Sequence, residues 1–431
     1  MDRSPTPGSQ TFGPAETFSV SHPRSLRARL STPMVRTSAF FFTLMGPSAI
    51  SNIGLSLWLA DRGISDARIG LVNAAPIVIV VLIGLSIGRI ADRSANWRAV
   101  IVACSLFAAL TSALLALTHS FWAIVLVWSL TIVPLLAMTP IADAAAIRAA
   151  TKAGRSYGAI RVWGTVGFVF TIVVVGFAFQ AFGVAAFVPA LVAISMARLG
   201  FAALLPDFHP PSKSDVSVVP QRPFAVVAFR DIKQLMKPWF LAPVFASALL
   251  MSSHAAQNGF GPLIWKSENV PDWLIGFYLA IAPAAEVGAM AFSGRLLTRF
   301  PARLILLCCC LVGTVRWWGY VTPMNPVTTS LLQSLHLVTF GLGYVAIVVF
   351  ANAWSHDSIG AQVQAFTTLA RNAVSIATYA TIGFLTAKLG AHVFYVASAM
   401  CAIGAVLCAW SLGIQPPAKH RKVPSSPPSG S

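Results

Sequence analysis

The sequence predicts an all-α integral membrane protein with twelve transmembrane helices in two six-helix bundles. Three observations lead there. Of the 431 residues, 56% are hydrophobic and only 10% charged, with a mean hydropathy of +0.75, whereas a soluble chain carries about a quarter charged residues. The apolar residues gather into runs of about 20, the length that crosses a bilayer core as a helix. These runs fall into two sets of six, separated by a polar, proline-bearing interval. A water-soluble enzyme, a disordered chain and a disulfide scaffold are excluded.

Residues 1–37 hold Pro, Ser, Thr, Gly and Arg without an apolar core, so they read as a disordered tail and not as a cleavable signal. The first half, 38–205, carries spans near 38–60, 69–90, 99–118, 121–147, 159–182 and 183–205. A linker follows at 206–238, marked by Pro206, Pro210, Pro211, Pro220 and Pro223 among Lys213, Arg230, Lys233 and Lys237. The second half, 239–414, carries spans near 239–264, 274–296, 303–321, 326–353, 363–388 and 391–414, and 415–431 is a second polar tail.

The net charge of +17 is spread over the loops and forms no single basic patch, so nucleic acid is not a partner. With the amino terminus inside, twenty-three Lys and Arg residues fall on inner segments, against Arg62, Arg68, Lys266 and Lys388 outside. Basic loops resist translocation, so both termini, tails included, are expected in the cytoplasm and the protein in a bacterial-type inner membrane. The six cysteines lie inside apolar runs without CxxC or metal-ligand spacing and read as packing thiols; no metal or cofactor is expected.

The halves repeat. Asn52 and Asn258, Asp66 and Asp272, Ile69 and Ile275, Gly70 and Gly276, Gly88 and Gly294, Arg89 and Arg295, and Arg93 and Arg299 are all 206 positions apart. One ungapped offset implies a parallel repeat of two bundles about an axis along the membrane normal, with a substrate site between them at mid-depth.

The segment Gly88-Arg89-Ile90-Ala91-Asp92-Arg93, closing with Arg98, resembles the signature loop between helices 2 and 3 of the major facilitator superfamily. Gly294-Arg295-Leu296-Leu297-Thr298-Arg299 is a degenerate second copy. The resemblance implies the major facilitator fold and a gate: Gly88 permits close helix approach, and Asp92 accepts bonds that hold the inner face shut. Within the superfamily, Arg155 to Phe168 and Gln333 to Gly341 look like the phenylpropionate permease group, as do Glu286, Arg316-Trp317 and His254. The chain departs from that pattern at Ala159, where a basic residue is expected. The layout is also similar to lactose permease-type proton symporters, although Thr339 stands three residues after His336 where an acid would be needed to take a proton there.

A charge in mid-membrane costs several kcal/mol unless paired or wet. Distances from the connecting loops place Asp143 level with Arg161, and Glu286 level with Arg316 near the midplane. Each pair is expected to form an ion pair, either as a proton-coupling device or as a static interhelical bridge. If an anionic substrate takes over Arg316, Glu286 loses its partner and protonates. His254, Gln333 and His336 are candidate substrate contacts, or equally interhelical hydrogen bonds. The same two readings apply to Asn52, Asn258, Arg371 and Asn372. Tyr157, Trp163, Trp317, Trp318 and Tyr344 either line the path or simply pack. No GxxxxGK[ST] loop is present. The expectation is a secondary transporter, not an enzyme, that takes up a small organic anion such as an aromatic carboxylate with protons and works as a monomer in the lipid bilayer. A sugar or nucleoside transporter and an efflux permease are the alternatives within the class, and a polytopic enzyme or sensor the alternative outside it.

Overall fold

The computed structural model describes residues 32–94, 96–208, 236–322, 325–354 and 360–414, with backbone only at 84–93, 289–292, 360 and 361. Most of the linker and both tails lie outside the described residues.

Among the described residues the first half comprises α1 (Pro33–Leu44), α2 (Gly46–Asp61), α3 (Asp66–Arg93), α4 (Trp97–Leu114), α5 (Phe121–Lys152), α6 (Gly158–Phe182) and α7 (Phe187–Ala203). The second comprises α8 (Pro238–Ser253), α9 (Ala255–Ser267), α10 (Asp272–Arg299), α11 (Ala302–Gly319), α12 (Pro326–Ser334), a π-helical segment (Leu337–Leu342), α13 (Gly343–Ala353), α14 (Gly360–Leu389) and α15 (Phe394–Gly413). The first span starts five residues earlier than the apolar run predicts. Thr32 caps Val35 N, and Pro33 occupies the first turn, where its missing N–H is no loss.

Ten stretches are long and apolar enough to cross a membrane, or eleven with the two arms of α10 joined. One of the ten, Gln362–Gly413, has 52 residues, about 78 Å of helix, more than twice a bilayer core of about 30 Å. The turn at Gly390, with φ of +52°, divides it into α14 and α15. Among the described residues twelve crossings result, so Pro33, where the first begins, and Gly413, where the last ends, lie on one face of the molecule, here the terminal face. The opposite face is the distal face.

The opening span of each half is interrupted near its middle, at Met45 and at His254, and the tenth span by the π segment. Between the halves, α6 packs along α10 and α3 along α14. Glycine makes both approaches possible near the distal face. The Cα of Gly276 is 3.2 Å from where a Cβ on Gly176 would stand, and the Cα of Gly383 is 3.2 Å from the Cβ position of Gly70. Gly70 and Gly276 are repeat counterparts. Among the described residues, hydrogen bonds join the halves where Ser56 Oγ donates to the Gly259 carbonyl and where Asp272 N donates to Gln180 Oε1 at 3.2 Å. Both lie in the distal parts of their helices, so the distal face is the sealed one.

Candidate functional site

Arg316, near the distal end of α11, is completely buried. Its Nε donates to the Leu332 carbonyl at 2.8 Å, Nη1 to Thr339 Oγ1 at 2.9 Å, and Nη2 to Gln257 Oε1 at 2.8 Å. Nη1 also lies 3.0 Å from His254 Nε2 and 3.4 Å from His336 Nδ1, and Nη2 is 3.5 Å from Gln333 Oε1. The guanidinium carbon sits 4.3 Å from the Trp317 ring centre. Two helices supply matching pairs at three-residue spacing, His254 with Gln257 and Gln333 with His336, so each presents an amide and an imidazole on one face. The π segment that follows His336 brings Thr339 to the same cation.

This arrangement fixes both imidazoles. A guanidinium only donates, so the ring nitrogens that face it are bare. His254 Nδ1 lies 3.1 Å from the Leu250 carbonyl, an acceptor, and carries that ring's hydrogen. His336 carries its hydrogen on Nε2, which points at Glu286 Oε1 3.1 Å away, off-line for a hydrogen bond. Accepting from Arg316 requires one bare nitrogen on each ring, and an imidazole with one bare nitrogen is neutral.

The expected direct pair of Glu286 with Arg316 is corrected: His336 stands between them. The two residues flank the His336 ring, a side chain that counting from the loop could not supply. Arg161 stands on α6, the helix of the first half that packs along α10, which carries Glu286. The expected ion pair of Asp143 with Arg161 is likewise replaced by a mediated contact. Tyr157, in the loop before α6, donates its hydroxyl to Asp143 at 2.8 Å and feels the charge of Arg161. Burial, and then the Asp143 carboxylate, push the Tyr157 phenol well above its ordinary range, so it remains a donor.

Other expected residues are dispersed. Trp163, two residues after Arg161, is turned by about 200° from it. It lies on an exposed stripe with Val166, Phe170, Val174 and Phe177, whose last member stacks on Trp273 of the other half. Trp317 is buried and donates to Ser253 Oγ at 2.8 Å, whereas Trp318 is exposed beside Tyr395. Asn52 and Asn258 are half-buried on α2 and α9, which touch at Ser56 and Gly259. Arg371 and Asn372 are half-buried on α14, with Arg371 lining a cleft of its own.

In the gating motif, the side chains of Gly88, Asp92 and Arg93 lie outside the described residues. Arg98 is tied to the end of the sixth span, through the Ala203 carbonyl at 2.6 Å and Asp207 at 3.3 Å. In the second copy Gly294, Arg295 and Arg299 are exposed, and Thr298 donates to the Arg295 carbonyl at 2.8 Å.

Two important residues escaped the sequence reading. Gln257 shares the His254 face, and a search for His–x–x–Gln spacing would have found it. Arg198 on α7 is 1% exposed, and among the described residues its Nε and both Nη atoms have no hydrogen-bond partner, nor has Ser195 Oγ one turn earlier. Arg198, Arg316 and Arg371 are the basic residues left once those in loops and span ends are removed.

A family model described as the MFS_1 like family matches residues 35–397. The chain is 28% identical over 350 residues to a protein of Escherichia coli (strain K12) described as a probable 3-phenylpropionic acid transporter, covering 79% of this chain and 88% of that one. It is 28% identical over 270 residues to a maltose permease of Geobacillus stearothermophilus, covering 62% and 65%. The crystal structure of the nucleoside transporter NupG superposes with a TM-score of 0.75 at 17% identity, over 90% of this chain and 100% of that one, and shares the fold. With its multiple apolar crossings and a matched region that spans both halves, the chain is a multi-pass membrane transporter that belongs to the MFS_1 like family of the major facilitator superfamily.

Proposed function

We propose that the protein is a proton-coupled symporter that takes up a small organic anion such as an aromatic carboxylate by alternating access. It works as a monomer in a bacterial inner membrane with its terminal face toward the cytoplasm. The observation that supports the proton assignment is the contact of a ring nitrogen of both His254 and His336 with Arg316, a group that only donates. With both imidazoles accepting from Arg316, Glu286 is the group of the cluster able to exchange a proton. Arg316 is a positioning residue here. Its donors are spoken for, so the incoming anion competes for Arg161, the cation carried by α6, which packs along the Glu286 helix from the other half.

An ionised Glu286 balances Arg161. A bound carboxylate takes over that balance, and the now unsupported Glu286 carboxylate captures a proton, so that anion and proton move together. Asp143 and Tyr157 hold Arg161 from the terminal side and set how far it reaches. The 3-phenylpropionic acid relative supports the substrate class, and the basic inner loops support the orientation. A sugar or nucleoside substrate is the second reading, favoured by the maltose permease relative and by the amide-rich helices that carry Asn52, Asn258, Gln257 and Gln333.

The test is uptake into proteoliposomes under an imposed proton gradient, across a panel of aromatic acids, sugars and nucleosides with and without an uncoupler. Glu286→Gln should abolish accumulation and retain exchange. Undiminished accumulation by that variant removes the proton role, and uptake of sugars alone removes the anion assignment.

A further inference from the structure

Arg371 lies on α14, eleven residues from the start of that helix at the terminal face. Among the described residues its guanidinium makes no hydrogen bond or ion pair. It lines a cleft of about 40 Å³ together with Ser247, Tyr344, Gln364, Thr367 and Thr368. Ser247 and His254 are seven residues apart along α8 and its continuation, so the cleft lies roughly 10 Å nearer the terminal face than the Arg316 cluster. The two levels contrast. At the upper one the cation is sealed by six acceptors; the lower cleft is lined by the hydroxyls of Ser247, Tyr344 and Thr368, by Thr367, whose hydroxyl donates to the Gln364 carbonyl at 2.8 Å, and by an amide, with no described carboxylate among the lining residues. The upper Arg is built into the protein, and the lower Arg, beside Tyr344, has no hydrogen bond or ion pair among the described residues and can take a visitor.

The volume sets the size of that visitor. A water needs about 10–15 Å³ on this measure, so the cleft holds about three waters or one carboxylate group, not a whole aromatic acid. Gln364 Nε2 is already engaged, donating to the Asn352 side chain at 2.9 Å and the Val348 carbonyl at 3.3 Å, which holds the amide in the cleft wall. The α14 backbone is anchored to α8 through Ser252, whose Oγ lies 2.8 Å from Ser375 Oγ and donates to the Arg371 carbonyl at 3.3 Å. The cation is thus mounted on a fixed frame while its head is uncommitted. Guanidinium with hydroxyl donors is a carboxylate receptor.

We propose that Arg371 heads a second anion subsite, which holds the carboxylate of the substrate on the terminal side, one step removed from Glu286. This rests on the reading that the cargo is an organic anion. When the distal face is sealed, the substrate passes between the Arg161 level and this cleft, so Arg371 governs release into, and capture from, the compartment at the terminal face.

The experiment is phenylglyoxal modification of the purified full-length protein in nanodiscs, followed at Arg371 by peptide mass spectrometry. The probes are 3-phenylpropionate and its uncharged isostere 3-phenylpropionamide. At millimolar concentration the carboxylate should slow modification of Arg371 at least tenfold, and the amide less than twofold. Equal rates with both probes overturn the subsite, as does protection that first sets in at tens of millimolar. A second measurement uses sealed vesicles of both orientations: Arg371→Gln should raise KM from the terminal side about tenfold and leave KM from the distal side within twofold, with Arg371→Lys in between. Equal effects from both sides also overturn it. Protection without transport by the parent protein would keep the subsite and refute the symport reading. Transport without protection would do the reverse.

Discussion

Adding a single methyl at Gly70 tests the sealing of the distal face. A Cβ at this position would collide with the Tyr379 carbonyl and stand 3.2 Å from the Gly383 Cα, and the reciprocal Cβ at Gly383 would stand 2.8 Å from the Asp66 carbonyl. Carbon atoms rest at about 3.5–4.0 Å, and the colliding carbonyl is backbone that cannot swing aside, so α3 and α14 must part by about 1 Å. Overpacking of this kind costs about 1–3 kcal/mol. The penalty applies to the distal-closed state alone, because the helices separate there when the other state forms. At 1.4 kcal/mol per decade, Gly70→Ala should therefore lower the closed-to-open ratio by about 5- to 150-fold. The assay is alkylation by a membrane-impermeant maleimide, applied from the distal side, of a lone cysteine placed at Asn258 in a background cleared of the six native thiols. The rate should rise by a comparable factor while the protein stays folded, and Gly276→Ala, at the repeat position, should act in the same direction. Rates within twofold of the parent in both variants would refute the argument that these glycine contacts hold the distal face shut.

Further outcomes follow from other contacts. Arg198→Met replaces a buried cation, without a hydrogen-bond partner among the described residues, by an apolar side chain of similar length and should stabilise the protein by about 1–4 kcal/mol, read as a raised Tm; a lowered Tm would show that the guanidinium is satisfied. Arg316→Gln releases both imidazoles to bind protons, so the pH profile of substrate exchange should gain a step near the ordinary histidine value of about 6.5 that the parent lacks. Tyr157→Phe removes the donor to Asp143 and should cost about 1–2 kcal/mol at neutral pH. The Tyr157 phenol is raised in the folded protein, so its contribution is fully present below about pH 10 and is lost only as the pH rises through the higher folded value; the difference in Tm between Tyr157→Phe and parent should be flat from pH 6 to 9. Trp163→Ala, on the exposed stripe, should leave substrate KM within twofold, and a larger change would place the indole in the path.

The fold was legible because lipid imposes a simple rule, an apolar run for each crossing, and because the 206-residue offset exposes the repeat. Depth could be counted too, since rise per residue sets an expected level for Glu286 and Arg316. Azimuth could not. Arg161 and Trp163 share a depth and a motif, yet a turn of about 200° sends one inward and the other to the exposed face. Mediated contacts were equally hidden: counting from loops cannot show that His336 and Tyr157 insert themselves between the charges, because each comes from a different segment or from the loop itself. The same holds for Arg98, whose acceptors Ala203 and Asp207 are more than a hundred residues away. Arg198 was overlooked because it has no partner in sequence, nor any among the described residues in space, and a search for pairs passes over it.

The widened turn at Leu337–Leu342 separates the two levels of the path along one helix: Gln333 and His336 precede it, and Tyr344 follows it. A π turn carries one residue more than the α turn it replaces. Rewinding it to α geometry would swing everything beyond by about 100° and draw it along by about 1.5 Å, carrying Tyr344 across the mouth of the lower cleft while Gln333 and His336 stayed on Arg316. The tenth crossing is then a joint in the manner of a camshaft, whose rotation exchanges exposure at one storey for exposure at the other without any rigid tilt of its bundle.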